Sequence, residues 1–228
     1  MSTLFIWDID GTLIDCQASG RIALDIAFYR CYGLKNATQG VNLGGKLDSI
    51  IIGDVIERNN LRNFEYKKFN KMYKKTLEKV LKNNGRKKIL GGIESILDIS
   101  EKAGITNMIG TGNMKYGADI KLKSLGIDRY FKVGSYGDTN FTRVQMIERA
   151  KDIAKEYYNR EFESYFVIGD TPHDITGGKG AKCHTVAVAT GRYSKDKLME
   201  HSPDLIFEHL DDTKEFFKSI NMIIQGRN

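Results

Sequence analysis

The feature that most constrains the fold is a short apolar run near the start of the chain, Leu4–Trp7, which ends directly in Asp8-Ile9-Asp10-Gly11-Thr12. A run this short, followed by acids and a glycine turn, predicts a buried β-strand whose carboxyl end opens into a polar crevice. Open α/β sheets bind ligands in such crevices. An Asp-x-Asp-Gly sequence alone is also compatible with a surface turn, because Asp and Gly are turn formers. The preceding apolar run favours the strand.

Short β-rich runs alternate with helical stretches along the chain. The predicted strands are Leu4–Trp7, Asn107–Gly110, Phe131–Val133, Tyr165–Ile168, His184–Val188 and Leu205–Phe207. Helical spacing of apolar residues predicts helices over Ile93–Ala103 and Val144–Tyr158. Three glycines between positions 177 and 180 lower the helix propensity there by about 1 kcal/mol each, which would loosen that segment. The alternation predicts an α/β fold with a Rossmann-like parallel sheet core flanked by helices.

The segment between the first two predicted strands is far longer than a simple crossover. Parallel strands can be joined by a dozen or so residues, yet residues 16–88 show helical periodicity and no convincing strand. We therefore expect a helical cap domain over residues 16–88, inserted into a core domain made of residues 1–15 and 89–228. The hinges are expected near Asp15–Cys16 and Asn83–Gly85, where small and polar residues interrupt the pattern.

Charge and hydropathy limit the partners and the compartment. The net charge is +6, and much of it lies in a lysine-rich helical segment over residues 67–88. This segment is either a solvated helix face or an electrostatic funnel for an anionic substrate. No nucleic-acid motif accompanies it, so no nucleic-acid partner is expected. No signal peptide or membrane-spanning run is visible, and the cysteines lack metal-ligand spacing, which together predict a soluble cytoplasmic protein.

Polar residues follow three of the predicted strands and should meet at one sheet edge, because parallel strands share a carboxyl edge. They are Asp8 and Asp10 after the first strand, Thr111, Gly112 and Asn113 after the second, and Asp170 and Asp174 after the fourth. Two like charges about 4 Å apart repel by about 4 kcal/mol near a protein surface. The four acids therefore need a cation or shared protons. Oxygen ligands from distant loops favour Mg²⁺ over structural calcium.

The same edge offers groups suited to a phosphate. The Thr111 hydroxyl and the backbone N–H groups of Gly112 and Asn113 can bind phosphate oxygens. A fixed positive charge would also be needed, and Arg143 and Lys115 are the candidates, although either could be a solvated surface residue. Asp8 and Asp10 suit the roles of nucleophile and proton donor.

These motifs resemble those of the haloacid dehalogenase-like hydrolase superfamily, in its phosphoglycolate phosphatase-like branch. The first motif matches residues 8–15, the second matches Thr111, and the fourth matches residues 169–175. The third motif is normally a lysine, often followed by proline, and Arg143 stands at that place here. Arginine keeps the charge and the phosphate-binding geometry, and Lys115 is the alternative.

The resemblance implies a mechanism and a metal. Asp8 would attack phosphorus to form an aspartyl-phosphate, while Asp10 would protonate the leaving oxygen and then activate water. Mg²⁺ would be held by Asp8, the backbone carbonyl of Asp10 and Asp170, with Asp174 in support. Thr111 and Arg143 would hold the phosphoryl group. The family's cap selects the substrate, and Lys46 lies where this branch carries a cap substrate loop.

We therefore expect a Mg²⁺-dependent phosphatase that acts on a small phosphorylated metabolite, with no membrane partner. Two alternatives stay open on the sequence. A sugar-phosphate mutase uses the same pair of acids and returns the phosphoryl group to another hydroxyl. A phospho-ligand binding protein would keep the fold with an inactive site. The specific substrate and the oligomeric state are not readable from the sequence.

Overall fold

The computed structural model describes residues 2–139 and 141–226. The strands are β1 (Thr3–Trp7), β2 (Ile14–Asp15), β3 (Lys88–Ile89), β4 (Thr106–Gly110), β5 (Gly134–Ser135), β6 (Ser164–Gly169), β7 (His184–Val188) and β8 (Leu205–Phe207). The α-helices are α1 (Ser19–Tyr32), α2 (Asp48–Arg58), α3 (Tyr66–Asn83), α4 (Ile93–Lys102), α5 (Lys115–Lys123), α6 (Arg143–Tyr158), α7 (Pro172–Gly180), α8 (Lys195–Met199) and α9 (Thr213–Gln225). Within this described part, no helix combines the length and the apolar character needed to cross a membrane.

A parallel sheet of six strands forms the centre of the molecule, in the order β5-β4-β1-β6-β7-β8. Every residue of β1 is buried, as expected for a strand covered by helices on both faces. Because side chains alternate along a strand, Phe5 packs towards α9, with its ring 5.9 Å from that of Phe216. Leu4 and Ile6 belong to the cluster of buried residues on the other face, with Met146 of α6. The predicted α/β fold is confirmed.

One predicted strand is misplaced. The sequence predicts a strand over Phe131–Val133, but the residues that pair with β4 are Gly134 and Ser135. The Phe131 N–H instead closes a 3₁₀ turn by donating to the carbonyl of Asp128. Phe131 and Val133 both pack against buried clusters, and the carbonyl of Val133 accepts from the N–H of Ile109 in β4 at 3.4 Å. Contact with the sheet therefore starts only at the end of the predicted strand.

A small antiparallel ribbon was not predicted. It pairs β2 with β3, matching Ile14 with Ile89 and Asp15 with Lys88. Two-residue strands are too short to give a periodic signal in the sequence. The ribbon pairs the two segments that connect helices α1–α3 to the rest of the protein. One segment, β2, precedes α1, and the other, β3, follows α3. Helix α1 packs on α3 through Phe28 and Phe69, whose ring centres are 4.5 Å apart.

The glycine-rich segment after Asp174 is helical, contrary to its low propensity. Thr171 and Asp174 form a reciprocal capping box at the start of α7, with Pro172 in its first turn. A Cβ at Gly177 would lie 2.6 Å from Cγ of Arg143, and one at Gly178 would lie 2.7 Å from Cγ2 of Thr185. The glycines therefore allow α7 to approach its neighbours closely, and the caps and the packing offset their low propensity.

Candidate active site

The sheet register brings the predicted acids to one edge. Trp7, the last residue of β1, pairs with Ile109 on one side and Ile168 on the other, so the residues that follow these strands emerge together. Carboxylate oxygens of Asp8, Asp170 and Asp174 all lie within 4.8 Å of one another. Such a group of oxygen donors can hold a divalent metal ion.

Burial and mutual repulsion make this acid cluster electrostatically unfavourable by itself. Burial, and then the neighbouring Asp174 carboxylate, raise the pKa of Asp8 to about 6, although Arg143 opposes the shift. Burial and the Asp8 carboxylate also raise the pKa of Asp170 well above its usual value. A cation among the three carboxylates would relieve both effects.

Asp10 lies beside the cluster, and its side chain is 43% exposed towards a cavity. Its Oδ2 atom accepts hydrogen bonds from Nζ of Lys121 at 2.5 Å and from Nδ2 of Asn113 at 2.8 Å. Within residues 2–139 and 141–226, no hydrogen bond uses its backbone carbonyl, which leaves that oxygen available as a ligand.

Lys121 is a site residue that the sequence reasoning missed. Its side chain is 4% exposed, although it lies in a segment that contains other, solvated lysines. Burial lowers the pKa of Lys121, but the Asp10 and Asp48 carboxylates raise it and prevail, so the ammonium stays charged. The available signal was its spacing, because Lys121 follows Ala118 by three positions and falls on the buried face of α5.

Arg143 occupies the place predicted for the third motif and points into the acid cluster. Its Nη2 donates to Oδ1 of Asp8 at 3.2 Å and to Oδ1 of Asp174. Burial lowers its pKa, but Asp174 and Asp8 raise it and prevail, so the guanidinium stays charged. Its Nε is buried and has no hydrogen-bond partner in the described part of the chain, which leaves one donor free.

The Thr111 loop is tightly built. Thr111 is fully buried, and its Oγ1 accepts from the backbone N of Asn113 at 3.3 Å and from its Nδ2 at 3.0 Å. The carbonyl of Gly112 accepts from the N–H of Asp48 at 2.8 Å. A Cβ at Gly112 would lie 2.6 Å from the carbonyl oxygen of Lys46, so glycine is what lets the loop before α2 reach the sheet edge.

The two predicted lysines lie in different surroundings. Lys46 lines the cavity, and its Nζ pairs with Asp54 at 2.8 Å. Lys115 does not line the cavity; its side chain is 60% exposed and pairs with Asp119 at 2.9 Å. Arg143, rather than Lys115, therefore lies next to the acids.

The cavity over these residues has a volume of about 490 Å³ and is shared between the sheet edge and the 16–88 segment. Asp8, Asp10 and Thr111 line its floor, while Arg21 and Tyr73 belong to helices α1 and α3. Ligand cavities of about 300–1,000 Å³ suit small molecules. Arg21 was not predicted as a site residue because an exposed polar residue on a helix carries no distinguishing pattern.

The chain belongs to the haloacid dehalogenase-like hydrolase family, whose model matches residues 5–188. The predicted family is confirmed, and with it the prediction that the chain is an enzyme of the hydrolase class. Most of the described sheet, from β1 to β7, lies within the matched region.

Particular relatives extend this comparison. The chain is 26% identical over 220 residues to a phosphoglycolate phosphatase of Agrobacterium fabrum, covering 91% of this chain and 89% of that protein. It is 30% identical over 91 residues to the pyrophosphatase PpaX of Listeria welshimeri, but this match covers only 40% of this chain and 42% of the relative's length. A hydrolase structure from Pseudomonas syringae superposes with a TM-score of 0.71 at 18% identity, covering 96% of this chain and 98% of that one.

Proposed function

We propose that this protein is a Mg²⁺-dependent phosphatase that hydrolyses a small phosphorylated metabolite through an aspartyl-phosphate. The observation that carries the proposal is the group of Asp8, Asp170 and Asp174 carboxylates within 4.8 Å of one another, beside the Arg143 guanidinium and below a cavity. The names of the phosphoglycolate phosphatase and pyrophosphatase relatives support a phosphate-releasing activity. The cytoplasmic location stays a prediction.

The donor set fits the proposed metal. Asp8, Asp170 and Asp174 supply carboxylate oxygens, and the backbone carbonyl of Asp10 has no hydrogen bond within the described residues. Hard oxygen ligands of this kind suit Mg²⁺, which usually keeps several waters and binds substrate phosphate. When bound, the ion would neutralise carboxylate and phosphoryl charge during the reaction.

The chemical roles follow from position. Asp8 is the nucleophile whose Oδ bonds to phosphorus as the bond to the leaving oxygen breaks, and Asp10 donates a proton to that oxygen. Water then attacks the aspartyl-phosphate and passes its proton to Asp10. Arg143 and the Thr111 loop hold the phosphoryl oxygens, because phosphoryl transfer depends mainly on positioning and charge stabilisation. The contacts of Asn113 suggest that its side chain supports Asp10, while its predicted phosphate contact stays a prediction.

We propose that residues 16–88 form the cap that selects the substrate, with residues 1–15 and 89–228 as the core. Support comes from the cavity, which takes part of its lining from α1, α3 and the loop that carries Lys46. A cap over the site would also exclude water from the reaction. The cavity volume of about 490 Å³ favours a metabolite over a macromolecular substrate.

The test is release of inorganic phosphate from p-nitrophenyl phosphate and from a panel that contains phosphoglycolate, pyrophosphate and sugar phosphates. We expect turnover that EDTA abolishes and Mg²⁺ restores, and that Asp8→Asn reduces to background. Asp152→Asn, on the exposed side of α6, is the matched control and keeps its activity. Activity in Asp8→Asn would contradict the mechanism. Isomerised sugar phosphate without phosphate release would instead identify a mutase.

A further inference from the structure

Lys121, Asn113 and Asp10 form a closed polar network next to the proposed nucleophile. The Lys121 ammonium donates to Oδ2 of Asp10 at 2.5 Å and to Oδ1 of Asn113 at 2.6 Å. The Asn113 amide in turn donates to the same Oδ2 at 2.8 Å and to Oγ1 of Thr111 at 3.0 Å. The three side chains therefore fix one another, and Asn113 links them to the Thr111 loop.

This network makes the two oxygens of the Asp10 carboxylate different in their hydrogen bonding. Both donors reach Oδ2, and within residues 2–139 and 141–226 no hydrogen bond reaches Oδ1. An oxygen that already accepts two hydrogen bonds is a poor place for a proton. The proton that Asp10 must hold and transfer is therefore directed to Oδ1, on a side chain that is 43% exposed to the cavity.

Stability alone gives no reason for a lysine at this position. Taking an ammonium out of water costs several kcal/mol, and well-packed apolar residues often replace buried ion pairs without loss of stability. Lys121 is nevertheless enclosed by the protein, and a Cβ at Gly20 of α1 would lie 3.3 Å from its Nζ. The ammonium thus lies where the 16–88 segment meets the sheet edge, against Asp10, whose side chain is more exposed than that of Asp8.

We propose that Lys121 is a positioning residue for the reaction, which holds Asp10 by Oδ2 so that Oδ1 carries the transferred proton. In the first half-reaction the Oδ1 proton moves to the leaving oxygen as its bond to phosphorus breaks and the Asp8 bond to phosphorus forms. In the second, attacking water forms a new bond to phosphorus, the Asp8 bond breaks, and a water proton returns to Oδ1. The inference rests on the proposed phosphatase function.

The test compares kcat/KM for phenyl phosphate and p-nitrophenyl phosphate in the presence of Mg²⁺. The value of kcat/KM reports the steps up to the departure of the leaving group. Departure of phenolate depends on protonation far more than departure of p-nitrophenolate, which is the weaker base. For Lys121→Met we expect a loss on the order of 100-fold with phenyl phosphate and of less than about ten-fold with p-nitrophenyl phosphate. Lys123→Met, at an exposed position of the same helix, is the control and changes neither value.

Equal losses on the two esters, or no loss, would overturn the proposal. Lys121→Gln repeats the test with a polar side chain, and failure of both variants to fold would assign Lys121 a structural role only. Crystal structures of the wild type and Lys121→Met give a readout independent of turnover. We expect the Asp10 carboxylate to rotate in the variant, and an unchanged carboxylate would refute the inference. A wild type that hydrolyses neither ester and no member of the metabolite panel would refute the phosphatase function instead.

Discussion

Gly11 shows how a single residue determines the shape of the candidate site. It lies between Asp10 and Thr12 with φ +86°, a backbone conformation that favours glycine. A Cβ at this position would lie 2.5 Å from Oδ2 of Asp170. The turn after β1 can therefore approach the loop after β6 only because Gly11 has no side chain, and this approach keeps Asp8 and Asp170 together.

Gly11→Ala is expected to lose Mg²⁺-dependent turnover and stability, whereas Gly33→Ala should lose stability alone. Gly33 also has positive φ, at +71°, but nothing lies within 4 Å of its Cβ position. Left-handed backbone costs a residue with a side chain about 1–2 kcal/mol, so both variants carry that loss and Gly11→Ala adds a clash with Asp170. Urea unfolding and phosphate release measure the two effects. Equal behaviour of the two variants would contradict this account.

At the scale of elements, the start of helix α7 joins helix capping to the chemistry of the site. The Thr171 hydroxyl donates to Oδ2 of Asp174 at 2.7 Å, and the N–H of Thr171 donates to the same oxygen at 3.0 Å. Oδ1 of Asp174 is held by Arg143. Asp174, which completes the capping box of α7, is therefore also fixed as a member of the acid cluster.

Thr171→Ala should weaken both functions of this helix start. Loss of an N-cap side chain costs about 1 kcal/mol of stability, and here it also frees the Asp174 carboxylate, so phosphatase turnover should fall. Asp212→Ala removes the N-cap of α9, where the Asp212 carboxylate accepts from the N–H of Glu215 at 2.9 Å. This control should lose similar stability and keep its turnover per folded molecule. Full activity in Thr171→Ala would show that the N-cap of α7 does not contribute to the candidate site.

The sequence predicted elements well where a long pattern or a register fixed them. The helix predicted over Val144–Tyr158 begins one residue earlier, at Arg143, and the predicted strands at His184–Val188 and Leu205–Phe207 have the observed bounds. Other short elements were misplaced or missed. Phe131–Val133 has strand composition, but the residues that pair with β4 are Gly134 and Ser135. The β2–β3 ribbon is too short for periodicity to detect.

The residues of the candidate site were likewise predicted only where the sequence carries a distinguishing pattern. The acids follow apolar strands, so the shared sheet edge was enough to group Asp8 with Asp170. Lys121 and Asp48 were missed because a charged residue on a helix is usually solvated, and only the tertiary structure shows that both are buried.

At the scale of the whole molecule, Asp48 ties the 16–88 segment to the sheet edge. Its backbone N–H donates to the carbonyl of Gly112 at 2.8 Å, and its carboxylate accepts from the N–H of Met114 at 2.9 Å. Ser49 adds a bond from its N–H to the carbonyl of Gly137 at 3.2 Å. Burial raises the pKa of Asp48 to about 6, although Lys121 and the Met114 bond oppose the shift.

This raised pKa makes stability depend on pH with a definite sign. The folded state binds the Asp48 proton more tightly than the unfolded chain, so the contribution is present below about pH 4 and is lost as pH rises through about 6. Asp48→Asn has no carboxyl group at this position, so the variant should not show this loss of stability as pH rises. Between about pH 4.5 and 7.5, its free energy of unfolding relative to wild type should rise by about 2 kcal/mol, at about 1.4 kcal/mol per pKa unit.

Urea titrations in EDTA at the two pH values measure this difference. Asp152→Asn, on an exposed helix face, is the control and should show the same pH dependence as the wild type. A parallel pH profile for Asp48→Asn and wild type would show that the Asp48 carboxylate does not carry the effect.

The central position of β1 in the sheet affects how the protein folds during its synthesis. Leu4 pairs with Thr106 and Tyr165, so β1 is synthesised well before either of the strands that flank it in the sheet. Contacts between residues so distant in sequence slow folding, because the chain loses the entropy of loop closure before these contacts can stabilise it. Asp8 is translated long before Asp170. A nascent chain therefore carries the proposed nucleophile early and completes the candidate site only when β6 has joined the sheet.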